Sequence, residues 1–220
     1  MSDAPDQLVV VVGTGTEVGK TWVTCRVLEF LRAAGITVAA RKPVQSYDPT
    51  DRTTDAGELA DASGEERTAV CPQHRWYEVA MAPPMAAEVL GRPPFTLSDL
   101  VEEITWPDDI GFGVVETAGG LRSPMASDDA DGVALAAALM PDVVVLVADA
   151  GLGTINSIRL AVAALEVVVE TRDSLELIVM LNRFDPADDL HVRNRAWLES
   201  NDGLTLVTSV EALADAVRPS

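Results

Sequence analysis

The residues most able to do chemistry are gathered in Gly13-Thr-Gly-Thr-Glu-Val-Gly-Lys-Thr21, a glycine-rich turn between an apolar run and a segment of helical period. Glycines let the backbone turn tightly and come close to a ligand. Successive N–H groups at the helix start that follows then converge on an anion. Lys20 is placed to reach β- and γ-phosphate oxygens, and the Thr21 hydroxyl to ligate the Mg²⁺ that bridges them. The spacing departs by one residue from G-x-x-x-x-G-K-T, because five residues separate Gly13 from Gly19 and position 14 is Thr. The Gly19-Lys20-Thr21 ending still stands where strand gives way to helix, the context such a phosphate loop requires.

Mg²⁺ takes oxygen ligands, usually one or two carboxylates with phosphates and water, so acids at the same sheet edge are the next requirement. Glu116 closes the apolar run Phe112 to Glu116 and precedes Thr117-Ala-Gly-Gly120. A carboxylate at the carboxyl end of a strand faces the crevice where open α/β sheets bind ligands, although position alone also fits a solvated loop acid. Asp55, in Thr53-Thr-Asp-Ala-Gly57, reads either as a ligand or as a first-turn acid of a helix, and Asp149 after the fourth strand shares that ambiguity. Lys42 and Ser46, in Lys42-Pro-Val-Gln-Ser46, follow the second strand. They bring a cation and a hydroxyl to the same crevice, or else lie solvated.

The elements that must position these groups read as an α/β alternation. Five short apolar runs have the composition of strands buried on both faces of a parallel sheet: Leu8 to Val12, Val38 to Lys42, Phe112 to Glu116, Val143 to Ala148 and Leu175 to Leu181. Helical segments lie between them at Thr21 to Ala34, Thr54 to Ala62, Ser98 to Thr105, Asp131 to Met140, Ile155 to Val169 and Asp188 to Ser200. The first of these ends at Gly35 as a helix with a C-terminal glycine does. Leu204 to Val207 reads as a sixth strand and Val210 to Val217 as a closing helix, whereas Pro43 to Thr54 and Ala82-Pro-Pro-Met85 read as rim loops. This alternation predicts a doubly wound, mostly parallel sheet with helices on both faces, of the P-loop NTPase type, as a single domain over residues 1–220.

Composition narrows the partners. With 220 residues, 48% of them hydrophobic and 23% charged, the chain is long enough for one substantial core. No stretch approaches a membrane span, and Met1-Ser-Asp-Ala-Pro-Asp-Gln7 lacks the basic and apolar regions of a signal peptide, which points to the cytoplasm. A net charge of -19 disfavours nucleic acid and anionic membrane as partners. Cys25 and Cys71 have no metal-ligand or CxxC spacing and read as two thiols without a disulfide.

Taken together, the Gly-Thr-x-Thr-Glu-Val-Gly-Lys-Thr loop, Lys42-Pro-Val-Gln-Ser46, Asp55-Ala, Ala82-Pro-Pro-Met-Ala-Ala87, Glu116-x-Ala-Gly-Gly120 and Gly151-Leu-Gly-Thr-Ile-Asn156 resemble dethiobiotin synthetases, in the order that family has them. The resemblance implies a Mg-ATP-dependent ligase that closes a ureido ring on 7,8-diaminononanoate with CO₂, giving dethiobiotin, ADP and phosphate through a phosphorylated carbamate. It implies Lys42 and Lys20 as the catalytic lysines, and Thr21, Asp55 and Glu116 as the metal set. It further implies nucleotide contacts at Thr16, Glu17, Val18, Gly19, Lys20, Thr21, Trp22, Asp55, Glu116, Gly119 and Asn182, the last reading the adenine edge. Substrate contacts are implied at Thr16, Ser46, Gly119, Gly153 and Asn156, with Gly153 to Asn156 at a homodimer interface.

Three positions depart from the family pattern. Tyr47 and Thr117 stand where it has glycines, adding bulk where backbone or substrate approaches, and Ser157 stands where it has histidine. These departures keep open a related P-loop ATPase or ligase on another small acid, or a nucleotide-binding switch. The remaining conspicuous residues read as structural: His74 and His191 are isolated, Asp128-Asp129-Ala-Asp131 precedes a helix that acids favour, and the indoles of Trp22 and Trp76 read as packing groups outside the base-binding segment.

Overall fold

A computed structural model describes residues 4–169 and 175–219; the first three residues of the polar N-terminus lie outside them. The elements in chain order are β1 (Gln7–Gly13), α1 (Lys20–Ala33), β2 (Val38–Arg41), β3 (Gln45–Ser46), α2 (Asp55–Ser63), α3 (Arg67–Val70), β4 (Trp76–Tyr77), α4 (Pro83–Val89), α5 (Leu97–Glu102), β5 (Phe112–Glu116), α6 (Gly132–Leu139), β6 (Val143–Asp149), α7 (Thr154–Val169), β7 (Glu176–Asn182), α8 (Asp189–Asp202), β8 (Thr205–Val207) and α9 (Val210–Ala216). Six of the strands form one parallel sheet in the order β2-β5-β1-β6-β7-β8. Five of them were legible as buried apolar runs, because strands covered on both faces have no polar alternation to dilute the signal, whereas β8, at the sheet edge with Thr205 exposed, offered only a short apolar stretch.

The two faces are built by the period of two along each strand. Val9, Val11 and Val145 point to a layer with Leu28, Leu31, Leu59 and Leu213, contributed by α1, α2 and α9. Val10, Val12 and Leu146 point the other way, against Leu135, Ile158, Leu165 and Leu198 of α6, α7 and α8. Parallel register then carries the carboxyl ends of β1, β2, β5, β6 and β7 to one edge, with Val11 opposite both Glu116 and Val145. Among the described residues, no helix is long and apolar enough to cross a membrane.

Two rim segments differ from the sequence expectation. Ala82-Pro-Pro-Met85 opens α4 instead of continuing as loop, because prolines at the first helical positions lose no hydrogen bond and already have helical φ. Within Pro43 to Thr54, Gln45 and Ser46 pair in parallel with Trp76 and Tyr77. A two-residue bridge of this kind leaves no pattern to read, since the pairing partner lies some thirty positions away in sequence.

The buried thiols conform to expectation. Cys25 and Cys71 are free and buried, and burial pushes each thiol up to about 12, leaving them uncharged and inert near neutrality. His74 contacts Glu103 on the surface, and His191 accepts the Asp185 N–H through Nδ1. Asp131 caps α6 by accepting from Val133 and Ala134 N–H groups, as its position before that helix suggested.

Candidate active site

The start of α1 is unlike most other helix starts in this chain. Thr54, Thr96, Asp131, Asp188 and Ser209 close the ends of α2, α5, α6, α8 and α9 by accepting backbone N–H groups. Gly19, at the same position on α1, offers no side chain. The first N–H groups of α1 are therefore left for an external anion, and the helix dipole favours one there. Gly19 has φ 92°, and a Cβ at that position would lie 2.2 Å from Asn182 Nδ2. Asn182, buried at the end of β7, donates that same amide to the Val18 carbonyl at 2.9 Å and so fixes the loop from beneath.

The lysine of the loop is buried and folded onto carbonyl oxygens. Lys20 Nζ donates to Gly119 O at 2.6 Å and lies 3.4 Å from Gly15 O. Burial, with the Lys42 ammonium second, lowers its pKa from the ordinary lysine value. Gly120 lets the Glu116-Thr-Ala-Gly-Gly loop lie against the phosphate loop, since a Cβ there would sit 3.2 Å from Gly15 Cα.

Beside it stands a compact charge cluster. Lys42, just past β2 and 1% exposed, places Nζ 2.7 Å from Asp55 Oδ2 and 2.8 Å from Glu116 Oε1. Thr21 Oγ1 is 3.0 Å from Asp55 Oδ1 and 2.8 Å from Glu116 Oε1. Burial works to lower the Lys42 pKa, yet the two carboxylates outweigh it and the net shift is upward. The Lys42 ammonium, in turn, holds the Asp55 carboxyl below the ordinary carboxylate range. Asp55 begins α2 behind Thr54, so it is at once a first-turn acid and a member of this cluster.

Thr21, Asp55 and Glu116 offer oxygen donors only, the type Mg²⁺ takes, and the pair of carboxylates already gathers a cation in Lys42 Nζ. The residues fit that metal. Among the described residues, no group of three or more His, Cys, Asp or Glu could hold a metal ion, and one or two carboxylates beside phosphates and water is the set Mg²⁺ commonly takes.

These groups open into a cleft of about 930 Å³ whose lining includes Thr16, Glu17, Ser46, Tyr47 and Gly119. Ser46 donates its hydroxyl to Met81 O at the cleft rim. Gly153 and Asn156, exposed at the start of α7, lie outside that lining. Asp149 is drawn away from the cluster into an ion pair with Arg183 at 3.2 Å. Three supporting residues gave no sequence signal. Thr24 Oγ1, one helical turn beyond Lys20, is 2.9 Å from Glu116 Oε2, and Gln45 Oε1 accepts the Ala56 N–H beside Asp55. Arg183 donates to the Glu17 carbonyl at 3.0 Å. Thr24 and Arg183 act across separations of 92 and 166 positions, and Gln45 across 11, and no spacing rule addresses any of them.

Comparison with known proteins agrees with this geometry. A family model described as an AAA domain matches residues 7–220. The ATP-dependent dethiobiotin synthetase of Anaeromyxobacter dehalogenans is 38% identical over 183 residues, 81% of this chain and 78% of that one. The Streptomyces coelicolor protein of the same name is 35% identical over 218 residues, covering 97% and 87%. The chain belongs to the dethiobiotin synthetase family. Among solved structures, a plasmid partition protein from Borrelia burgdorferi shares the fold at TM-score 0.56 and 13% identity, covering 98% of this chain and 96% of its own.

Two expectations need correction, one on a departure from the dethiobiotin synthetase pattern and one on a residue read as packing. Thr117 does not crowd the cleft: it is fully buried, its hydroxyl donates to Val11 O at 3.2 Å, and its methyl would lie 3.5 Å from a Cβ on Gly132. Reversion to the family glycine, Thr117→Gly, is therefore expected to cost about 1–2 kcal/mol, from one hydrogen bond and added backbone freedom. A lowered urea midpoint with unchanged ATP turnover is the result to look for. Trp22 is not a packing residue, since it is 50% exposed and faces a hollow beside Asn182; the third position of a helix gave no indication of which way the ring turns. Trp76 does pack, donating Nε1–H to Cys71 O. Tyr47 lines the cleft as its position suggested, 3.5 Å from Glu78 through its hydroxyl, and Ser157 lies 3.3 Å from Gly153 O.

Proposed function

We propose that the protein is a Mg-ATP-dependent ligase that carboxylates 7,8-diaminononanoate with CO₂ and closes the ureido ring of dethiobiotin, releasing ADP and phosphate. The observation that carries this reading is Lys42. A nucleotide switch needs only its phosphate loop and metal ligands, whereas here a second buried ammonium from another strand stands beside them.

One substrate amine adds to CO₂, forming a C–N bond and losing a proton. The carbamate oxygen then attacks the γ-phosphorus, and the bond to ADP breaks. The second amine attacks the carbamoyl carbon, phosphate leaves with the C–O electrons, and the ring closes as the second amine loses its proton. Charge accumulates on the transferring phosphoryl group, so preorganised cations rather than a covalent nucleophile are what the reaction demands. Lys20 holds the β- and γ-oxygens, and Lys42 faces the carbamate and γ-phosphate. Mg²⁺ bound by Thr21, Asp55 and Glu116 would neutralise charge shared between the β- and γ-phosphates. Thr16, Glu17, Val18 and Gly19 cradle the phosphates, Asn182 meets the base, and Thr16, Ser46 and Gly119 face the diamine. Gly153 and Asn156, outside the cleft of their own chain, serve the substrate of a partner subunit in a homodimer working in the cytoplasm.

A second reading, ligation of a different small acid, draws on Tyr47, which fills part of the cleft where the family pattern has glycine. One assay separates the two: phosphate release from ATP with Mg²⁺ and bicarbonate, with and without diaminononanoate. Release that rises only with the diamine is the expected result. ATP binding with no diamine-dependent release, and turnover with another small acid, would replace the first reading by the second.

A further inference from the structure

Glu116 is gripped twice by one helix. Thr21 and Thr24 stand three positions apart on α1, which puts both hydroxyls on one face of that helix. Thr21 Oγ1 lies 2.8 Å from Glu116 Oε1 and Thr24 Oγ1 lies 2.9 Å from Oε2, so the two threonines straddle a single carboxylate. The first oxygen is shared, since Lys42 Nζ also lies 2.8 Å from it and Thr21 reaches on to Asp55 Oδ1 at 3.0 Å. The second is held by Thr24 alone among the described residues. Thr24 Oγ1 is equally close to the Lys20 carbonyl, at 2.9 Å, but that carbonyl already accepts a helical N–H, and a carboxylate oxygen draws a hydroxyl proton more strongly. Glu116 and Thr24 are both buried, so water does not compete for the bond.

We propose that Thr24 is a positioning residue that restricts Glu116 to one ligand oxygen and thereby sets the choice of Mg²⁺ over Ca²⁺. This rests on the metal set of Thr21, Asp55 and Glu116 in the reading above. With Oε2 tied to Thr24, only Oε1 is turned toward Thr21 and Asp55, where the other donor oxygens gather. Mg²⁺ demands a near-octahedral shell, which a carboxylate giving one oxygen suits. Ca²⁺ takes about six to eight oxygens in looser geometry, and a carboxylate free to turn serves it with both of its own. A carboxylate that is held from behind withholds that second oxygen. Thr24 does this without touching the metal, as the hydrogen-bonded partners of ligating carboxylates do.

Calorimetric titration of the full chain with ADP, in EDTA, in Mg²⁺ and in Ca²⁺, tests this in wild type, Thr24→Val and Thr24→Ser. Valine keeps the shape and loses the proton, whereas serine keeps the proton. Wild type is expected to bind ADP more tightly in Mg²⁺ than in Ca²⁺. Thr24→Val is expected to lower that preference about tenfold or more, and Thr24→Ser to stay within a few-fold of wild type. A threonine that only supports the helix would, on replacement by valine, weaken ADP alike in all three conditions and leave the preference where it was; that result overturns the proposal. Equal affinity in the two metals in wild type overturns it without any variant, so the test stays decisive if the valine protein does not fold. Wild-type ADP affinity that is the same in EDTA as in either metal removes the metal set itself, and this inference with it.

Discussion

Lys42→Ala is expected to lower diamine-dependent phosphate release by about 10²- to 10³-fold, the loss typical of removing one preorganised group aimed at developing charge. The same change strips a fully buried carboxylate, Glu116, of its cation, and breaking a buried pair from one side costs about 3 kcal/mol or more. Turnover is therefore best compared at low temperature, with folding followed by circular dichroism. Retained ADP binding with lost turnover locates the defect in the chemistry; unchanged turnover would remove Lys42 from the mechanism.

The pH dependence follows from two shifts of known sign. The Lys42 pKa is raised, so its contribution to stability is complete below the ordinary lysine value of 10.5 and is lost as pH climbs through the higher folded value. The Asp55 carboxyl is depressed, chiefly by Lys42, so its contribution is present above 3.8 and is lost as pH falls through the lower folded value. The stability gap between wild type and Lys42→Ala should be widest between those limits and close outside them. Lys20 and Lys42 are the only lysines in the chain, so a sample labelled at lysine Cε carries two signals to follow by NMR. Lys20 should titrate below 10.5 and Lys42 above it.

Gly19→Ala is the second large effect. A left-handed backbone costs a side-chain-bearing residue about 1–2 kcal/mol. Here the new Cβ also meets Asn182 Nδ2 at 2.2 Å, pushing the asparagine off the Val18 carbonyl that steadies the loop. MgADP affinity should fall about tenfold or more, since 1.4 kcal/mol of distortion in the bound loop is enough for that. Gly35→Ala provides the comparison, because Gly35 has φ 83° with nothing within 4 Å of a Cβ and ends the same helix. It should lose stability yet bind MgADP as wild type does. If Gly19→Ala also binds normally, the strained turn is not what shapes the phosphate site.

How much of this was legible in the linear chain depends on the range of the interaction involved. Residues 13–21 carried their own interpretation, because the loop's function lies in backbone groups of consecutive positions. Five of the strands were visible for a related reason: burial on both faces imposes a continuous apolar run that needs no partner to be seen. Lys42, Asp55 and Glu116 could be named one at a time, but position alone left each as either a ligand or a solvated charge.

The fold removed that ambiguity. Parallel register places the ends of β2 and β5 on the edge beside the phosphate loop, and Asp55 enters through the first turn of α2, held by Gln45. Within that arrangement Asp149, similar in sequence context, is turned aside by Arg183. The directions of side chains were decided later still. Thr117 turns into the sheet and Trp22 out toward the hollow, because rotation about a strand or helix axis is set by packing against neighbours distant in sequence. The phosphate loop, the parallel α/β architecture and the family were readable along the linear chain, because all three depend on local order. Which charges meet, at what distances, and that Trp22 is left half in solvent follow from folding, since those are properties of segments brought together by the sheet.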